Sequence, residues 1–307
     1  MSHELTEAIR RELTAPAPLM AKALAASLAT AFDQPAAVLF YGSSLRTGER
    51  EGIHDFYVLT HAPPPGLRGL ASRALWPDVS YREVADEYGT LRAKIASMTI
   101  AQFQRAVRGA GADTTIWTRF VQPSALAWSD GAPTSAAVAD SVAEAAKTAS
   151  RFAAALGPEK GAPAAFWRSL FRETYAAEFR VENQGREKTI LSADAGRYDA
   201  LLPLAWEAAG IDFTSNDGVL SPRLAPAERK RLQAAWRLRR LLGRPLNIAR
   251  LLKAAFTFEG AARYAAWKIE RHTGVPVAVT PWRERHPILA APGVLWRVAR
   301  ERRRGPA

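Results

Sequence analysis

"VLFYGSSLRTGEREGIHDFYVLT", Val38 to Thr60, joins two apolar runs through a Gly-Ser-Ser turn and a charged loop, and a lone Asp55 opens the second run. The first run, "AAVLF" at 36–40, is short, apolar and halted near Gly42, the pattern of a buried strand. The second, "DFYVLT" at 55–60, is rich in aromatic and β-branched residues and predicts another strand. A glycine after a buried strand has no Cβ, so a phosphate can come close to its backbone. Serines behind it donate from hydroxyl and amide where the next residues open a helix. A carboxylate on the adjacent strand can then hold Mg²⁺ between itself and the same phosphates. The plainer alternative is a common Gly-Ser turn with Asp55 as a turn acceptor.

Outward from this pair, residues 4–32 carry Ala, Leu and Met at three- and four-residue spacing and predict helix around "TAPAP". "TLRAKIASMT", 90–99, predicts a third strand, since Leu91, Ala93, Ile95 and Ser97 alternate with Arg92 and Lys94. "IAQFQRAVRG" predicts a helix with its basic residues on one face. "SDGAPTS", 129–135, marks a boundary, beyond which "AAVADSVAEAAKTASRFAAALG" predicts a long helix capped at Gly157. "APAAFWRSLFRETYAAEFRVE" predicts another, with Phe166, Trp167, Leu170 and Phe171 on its apolar stripe. "AERKRLQAAWRLRRLLG" is expected to start after Pro226 and stop at Gly243, with further helices in "PLNIARLLKAAF" and "GAARYAAWKIERH".

Strand, Gly-Ser, a spacer of about a dozen residues and a strand with Asp form the layout of the nucleotidyltransferase superfold. There a metal neutralises a nucleoside triphosphate while an acceptor attacks the α-phosphorus. "FYGSS", "HDFYVLTHAP", "YGTLRAKIASMTIAQF", "WTRFVQPSAL" and "TYAAEFRVENQGREKTI" follow in an order that resembles the mitochondrial-type phosphatidate cytidylyltransferases, the CDP-diacylglycerol synthases. The matching positions are Tyr41-Gly42-Ser43, Asp55-Phe56, Gly89 with Lys94 (after one inserted residue), Arg119 with Pro123, and Tyr175, Glu178, Phe179, Arg180 and Lys188. The chain departs from the family at Ser44 and Ala177, where glycines are expected, at Glu178 in place of Asp, and at His61 and Ala62 in place of acids. Tyr57 stands where such folds usually carry a second carboxylate.

The resemblance implies a fold and a set of roles. The fold is α/β: a nucleotidyltransferase-fold domain over 1–130, a mainly helical, winged-helix-like domain over 131–221, and a basic helical C-terminal tail over 222–307. The activity is Mg²⁺-dependent transfer of CMP from CTP to phosphatidate, giving CDP-diacylglycerol and pyrophosphate. Gly42, Ser43 and Ser44 would cradle phosphates, and Asp55 would ligate Mg²⁺. Lys94 and Arg119 are candidates for the triphosphate or the acceptor phosphate, with solvated surface charge as the alternative. Arg180 and Lys188 are candidates for the lipid phosphate, with Glu178 orienting Arg180; the alternative is a helix salt bridge. A phosphomonoester acceptor is already anionic at neutral pH, so no general base is required.

Charge is unevenly placed. Residues 1–221 hold 22 Lys+Arg and 25 Asp+Glu, a net −3, whereas residues 222–307 hold 20 Lys+Arg and five Glu, a net +15. Such a cationic end points to a polyanionic surface, either anionic lipid or nucleic acid. Within 244–256, Leu246, Leu252 and Phe256 are the apolar positions, with Arg250 and Lys253 expected opposite. Trp267, Trp282 and Trp296 recur in basic surroundings, the composition of an in-plane interfacial helix. The alternative is a basic helical subdomain with a buried tryptophan core. Nucleic acid is the less supported partner, with no RRM-, KH- or zinc-type motif present. Zero cysteines exclude disulfides, thiolate-metal sites and a Cys nucleophile, and fit a reducing compartment. The charged N-terminus lacks an apolar signal region and no apolar run reaches eighteen residues, so the expected place is cytoplasmic, peripheral on the inner face of the membrane. Two other functions stay open. One is transfer to another phosphorylated lipid, sphingoid or isoprenoid; the other is a catalytically weakened lipid- or nucleic-acid-binding protein.

Overall fold

Two helices, α1 (Ser2–Thr14) and α2 (Leu19–Ala31), lead into strand β1 (Pro35–Tyr41). The structure, a computed structural model, describes residues 2–86, 89–178 and 186–303. The helix expected over 4–32 around "TAPAP" is two helices, because Pro16 and Pro18 remove donors and bar helical backbone before them. A one-turn helix α3 (Ser43–Thr47) separates β1 from β2 (Ile53–Thr60). Then come α4 (Gly66–Ala74), β3 (Asp78–Asp86), β4 (Gly89–Thr99), α5 (Ile100–Val107), α6 (Thr115–Phe120) and β5 (Ser124–Ser129).

The strands form one mixed five-stranded sheet in the order β3-β4-β2-β1-β5. β2 runs parallel to β4, and the other neighbours are antiparallel. Period-two alternation sends Leu39, Tyr41, Tyr57, Leu59, Ala96 and Met98 to one face, packed with residues of α1, α5 and α6. Val38, Phe40, Phe56, Val58, Ala93 and Ile95 face the other way, onto Leu24 and Leu28 of α2. Both of the strands in the opening stretch are present, as is the one expected at 90–99. β3 and β5 were not anticipated. β3 is an edge strand whose "YRE" centre reads as polar, and β5 is only six residues long.

Beyond β5 run α7 (Ala132–Leu156), α8 (Pro163–Ala177), α9 (Arg186–Ser192) and α10 (Ala195–Ala209). A hairpin, β6 (Asp212–Asn216) and β7 (Val219–Arg223), interrupts the helical part. α7 ends at Gly157 as its sequence suggests; a Cβ there would strike Phe166 Cδ1 at 2.6 Å. Trp117 and Phe152 stack at 5.5 Å, and Trp167 and Trp206 lie in the same core as the sheet's inner face. The sheet's inner face and the helices that follow thus share one hydrophobic cluster.

The basic C-terminal part corrects two expectations. α11 (Pro226–Thr257) does not stop at Gly243 but runs on through Pro245. A Cβ on Gly243 would stand 2.4 Å from the Ala177 carbonyl oxygen, so this glycine lets two helices meet rather than capping one. Leu232 and Trp236 join the central core. Over 244–256 the basic residues lie opposite the exposed apolar ones as expected, but they serve the interior and not an anionic surface. Arg250 and Lys253 point inward to Asp113 and Asp78, while Leu241, Ile248, Leu251, Leu252 and Phe256 are exposed. Three short helices follow, α12 (Ala261–Thr273), α13 (Pro281–Arg285) and α14 (Pro287–Arg303). α12 is fixed to the sheet edge: the Tyr81 amide donates to the Glu259 carbonyl at 2.8 Å, and the Tyr81 and Tyr264 rings meet at 5.6 Å. Among the described residues, no helix is long and apolar enough to cross a membrane.

Candidate functional site

Sheet register places the pieces of the opening stretch together. Tyr41 on β1 lies opposite Asp55 on β2, and Asp55 lies beside Lys94 on β4. Paired residues share a face, so the three side chains emerge side by side, with Tyr57 and Ala96 one pleat further in. Gly42 turns the chain at φ 95° and ψ −161°, a conformation essentially reserved for glycine. A Cβ there would lie 3.1 Å from Asp55 Oδ2. The missing side chain is thus what leaves room for the carboxylate. Ser43 and Ser44 open α3 as expected; Ser43 is exposed and Ser44 is buried beneath the turn.

Arg119 reaches this row from α6. Its Nη1 donates to the Tyr41 hydroxyl at 3.2 Å and to the Tyr57 hydroxyl at 3.3 Å, and its guanidinium lies 5.1 and 5.8 Å from the two ring centres. Burial pushes both tyrosines above the ordinary phenol range, an effect the arginine partly offsets. The hydroxyls accordingly stay protonated. Burial works against the Arg119 charge, but Tyr41, Tyr57, Asp55 and Glu178 hold it above its usual value.

Two residues from α11 complete the cleft. Asn247 and Arg250, with Lys94, Arg119, Tyr41 and Tyr57, line a space of about 150 Å³. Arg250 makes a bidentate pair with Asp113 at 2.9 and 3.0 Å, and the Thr115 amide donates to the same carboxylate at 3.0 Å. Burial alone would raise Asp113, but Arg250 and these hydrogen bonds hold it below the ordinary carboxylate range. The sequence reading missed Asp113, Asn247 and Arg250. Arg250 lies 137 positions from its partner, and its helix reads as lipid-facing.

Of the other predicted residues, Glu178 is buried and accepts from Thr114 Oγ1 at 2.6 Å, within electrostatic reach of Arg119 and Arg250. Phe179 and Arg180 lie outside the described residues, so the expected orientation of Arg180 by Glu178 does too. Lys188 sits on α9, its side chain likewise outside the description. His61 is at the opposite end of β2 and bonds Asp130 at 2.6 Å, away from the cleft. A cavity of about 370 Å³ near Thr60, Asp33 and Arg82 is lined by none of the predicted site residues.

Among the described residues no group of three or more His, Cys, Asp or Glu could hold a metal ion. Asp55 supplies one carboxylate, and the position two residues on, Tyr57, faces Arg119. Mg²⁺ commonly binds through one or two carboxylates plus substrate phosphates, so this donor set fits an ion carried by a nucleotide and not an all-protein cage. No protein-family model matches the chain, and no curated protein matches it.

Proposed function

We propose that the chain is a Mg²⁺-dependent cytidylyltransferase that moves CMP from CTP to phosphatidate, giving CDP-diacylglycerol and pyrophosphate. The observation that carries this reading is the row Gly42–Asp55–Lys94, in which a glycine turn leaves space beside one carboxylate and a lysine stands next to it. The mixed sheet, with its turn and carboxylate on neighbouring strands, favours the nucleotidyltransferase fold. The β6–β7 hairpin after α8, α9 and α10 favours a winged-helix-like second part.

In this reading Asp55 would hold Mg²⁺, which neutralises phosphate charge when bound. Lys94 and Arg119 bind and orient phosphate oxygens, and Arg119 is braced by two tyrosines so that little reorganisation is needed. Tyr41, Tyr57 and the α11 side chains limit water at the cleft. A phosphomonoester acceptor brings its own negative oxygen, and none of these groups has to remove a proton.

Lipid as acceptor is supported by the outward stripe of α11. Leu238, Leu241, Ile248, Leu252 and Phe256 are exposed, with Arg237, Arg240 and Arg244 beside them, as peripheral binding to an anionic membrane face requires. Pyrophosphate release from a panel of nucleoside triphosphates, with and without phosphatidate vesicles, tests the proposal. Release that needs both CTP and phosphatidate is expected; release with another phosphorylated lipid only would reassign the acceptor. A second reading, anionic-lipid binding without transfer, is favoured by the single carboxylate and by Tyr57 in the second position. Vesicle binding with no release under any pair would establish it.

A further inference from the structure

The cleft at Lys94, about 150 Å³, is smaller than the roughly 300 Å³ at which small-molecule pockets begin, so a nucleotide or headgroup must extend out of it. On the same sheet face Arg92 stands two residues from Lys94 along β4, about 7 Å away. There a cavity of about 590 Å³ opens between the loop before β2, the start of β4 and α12. Arg50, Arg92 and Arg271 line it around Trp267, with Glu51 on the wall. The guanidinium of Arg92 lies 5.8 Å from the Trp267 ring centre and that of Arg271 lies 5.1 Å from it. Arg92 is also 3.5 Å from Glu83. Gly52, at φ +109°, brings bare backbone to the cavity; a Cβ there would be 3.4 Å from Arg271 Nη1.

These features share one logic. Two guanidiniums held against one indole are pre-oriented forks, and a planar fork matches phosphate oxygens in pairs. Stacking on tryptophan reduces the freedom lost when a ligand arrives. Among the described residues, Arg50, Arg92 and Arg271 outnumber Glu51 and the Glu83 paired with Arg92. The geometry points to a phosphate-binding subsite in which Arg92 and Arg271, braced on Trp267, hold a phosphomonoester or polyphosphate group that continues past Lys94 to Asp55. Trp267 and Arg271 belong to the cationic C-terminal part, which thereby contributes to the site itself. The link to Asp55 rests on the nucleotidyl-transfer reading; anion binding by the cavity does not.

The test is titration calorimetry on the full chain without metal, at fixed ionic strength, using inorganic pyrophosphate, CTP and monomeric dihexanoyl phosphatidate. Arg92→Gln and Arg271→Gln should each weaken at least one probe tenfold or more with unchanged melting, and Arg271→Lys should recover part of the loss. Weaker CTP and pyrophosphate binding assigns the subsite to the nucleotide, and weaker phosphatidate binding assigns it to the acceptor. Wild-type affinity for all three probes in both Gln variants, or no binding of any probe by the wild type, overturns the subsite. If the variants lose pyrophosphate but the wild type releases none from CTP and phosphatidate, the subsite stands and the transferase reading fails.

Discussion

Gly42→Ala isolates the feature on which the site reading depends. At φ 95° and ψ −161° an alanine is strained by about 1–3 kcal/mol, and its Cβ would sit 3.1 Å from Asp55 Oδ2. That contact is tighter than nine in ten observed Cβ contacts, so the carboxylate must give by a few tenths of an ångström. A strain of about 2 kcal/mol lowers the melting temperature by roughly 3 °C in a chain of this size. Misplacing a reacting-site group by as much as 1 Å costs about a hundredfold in rate, so a shift of a few tenths should cost on the order of tenfold. Gly48→Ala is the matched control: φ is +69°, and no atom lies within 4 Å of its Cβ. It carries backbone strain at the other end of α3 without touching Asp55. Melting curves and pyrophosphate release should therefore separate the two variants, both destabilised and only Gly42→Ala impaired beyond its folded fraction. Equal activity per folded molecule in both would refute the role given to the bare backbone at Gly42.

Asp55→Asn should abolish transfer while leaving the melting temperature within a degree or two, because it keeps the shape and removes the charge; full activity at saturating Mg²⁺ would move the site elsewhere. Arg250→Met strands Asp113 in the interior and should cost about 3–5 kcal/mol in urea unfolding, with part regained when Asp113→Asn is added. His54 is buried with Nε2 donating to the Arg50 carbonyl at 2.9 Å, and burial holds its pKa below the ordinary imidazole value. Its folded state binds fewer protons, so its contribution is full above about pH 6.5 and is lost as pH falls through the lowered folded value, at up to about 1.4 kcal/mol per pH unit. Unfolding at pH 7.5 and 5.5 should show this slope shrink in His54→Gln. Full-length protein should sediment with vesicles containing anionic lipid, less so as salt rises, and Leu252→Asp with Phe256→Asp should release it.

The parts of the site visible in the sequence are those made by neighbours in the chain. Gly42, Ser43 and Asp55 lie within one strand-turn-strand unit, where residue spacing and sheet register are nearly the same information. Lys94 was reachable because β4 alternates cleanly, and one parallel pairing then sets it beside Asp55. β3 was not, since an edge strand tolerates the charges that hide its period. Gly243 was misread for a general reason: a glycine permits a helix end and a close helix crossing equally, and only the presence of the Ala177 carbonyl decides. Arg250 shows the limit most sharply. A basic residue on an amphipathic helix is solvated unless a buried carboxylate waits for it, and Asp113 lies in a loop with no pattern of its own.

The inward basic side of α11 decides how the membrane proposal can be tested. The +15 of residues 222–307 suggests an appendage whose removal should spare the rest. Yet Arg250 and Lys253 neutralise Asp113 and Asp78 in ion pairs whose side chains are 8–15% exposed, and Arg239 donates to the Gly109 carbonyl at 2.5 Å. Leu232 and Trp236 belong to the central core. A chain ending near 221 would leave two buried carboxylates without their cations and open the core, so loss of vesicle binding in it would report unfolding. The outward leucines and Phe256 do not share these duties. They cover no core, and pairing them with Arg237, Arg240 and Arg244 on one exposed stripe is costly in water unless a surface covers it. Substitutions on that stripe separate membrane attachment from folding, because the inward face of the same helix holds the cleft together whether or not a bilayer is present.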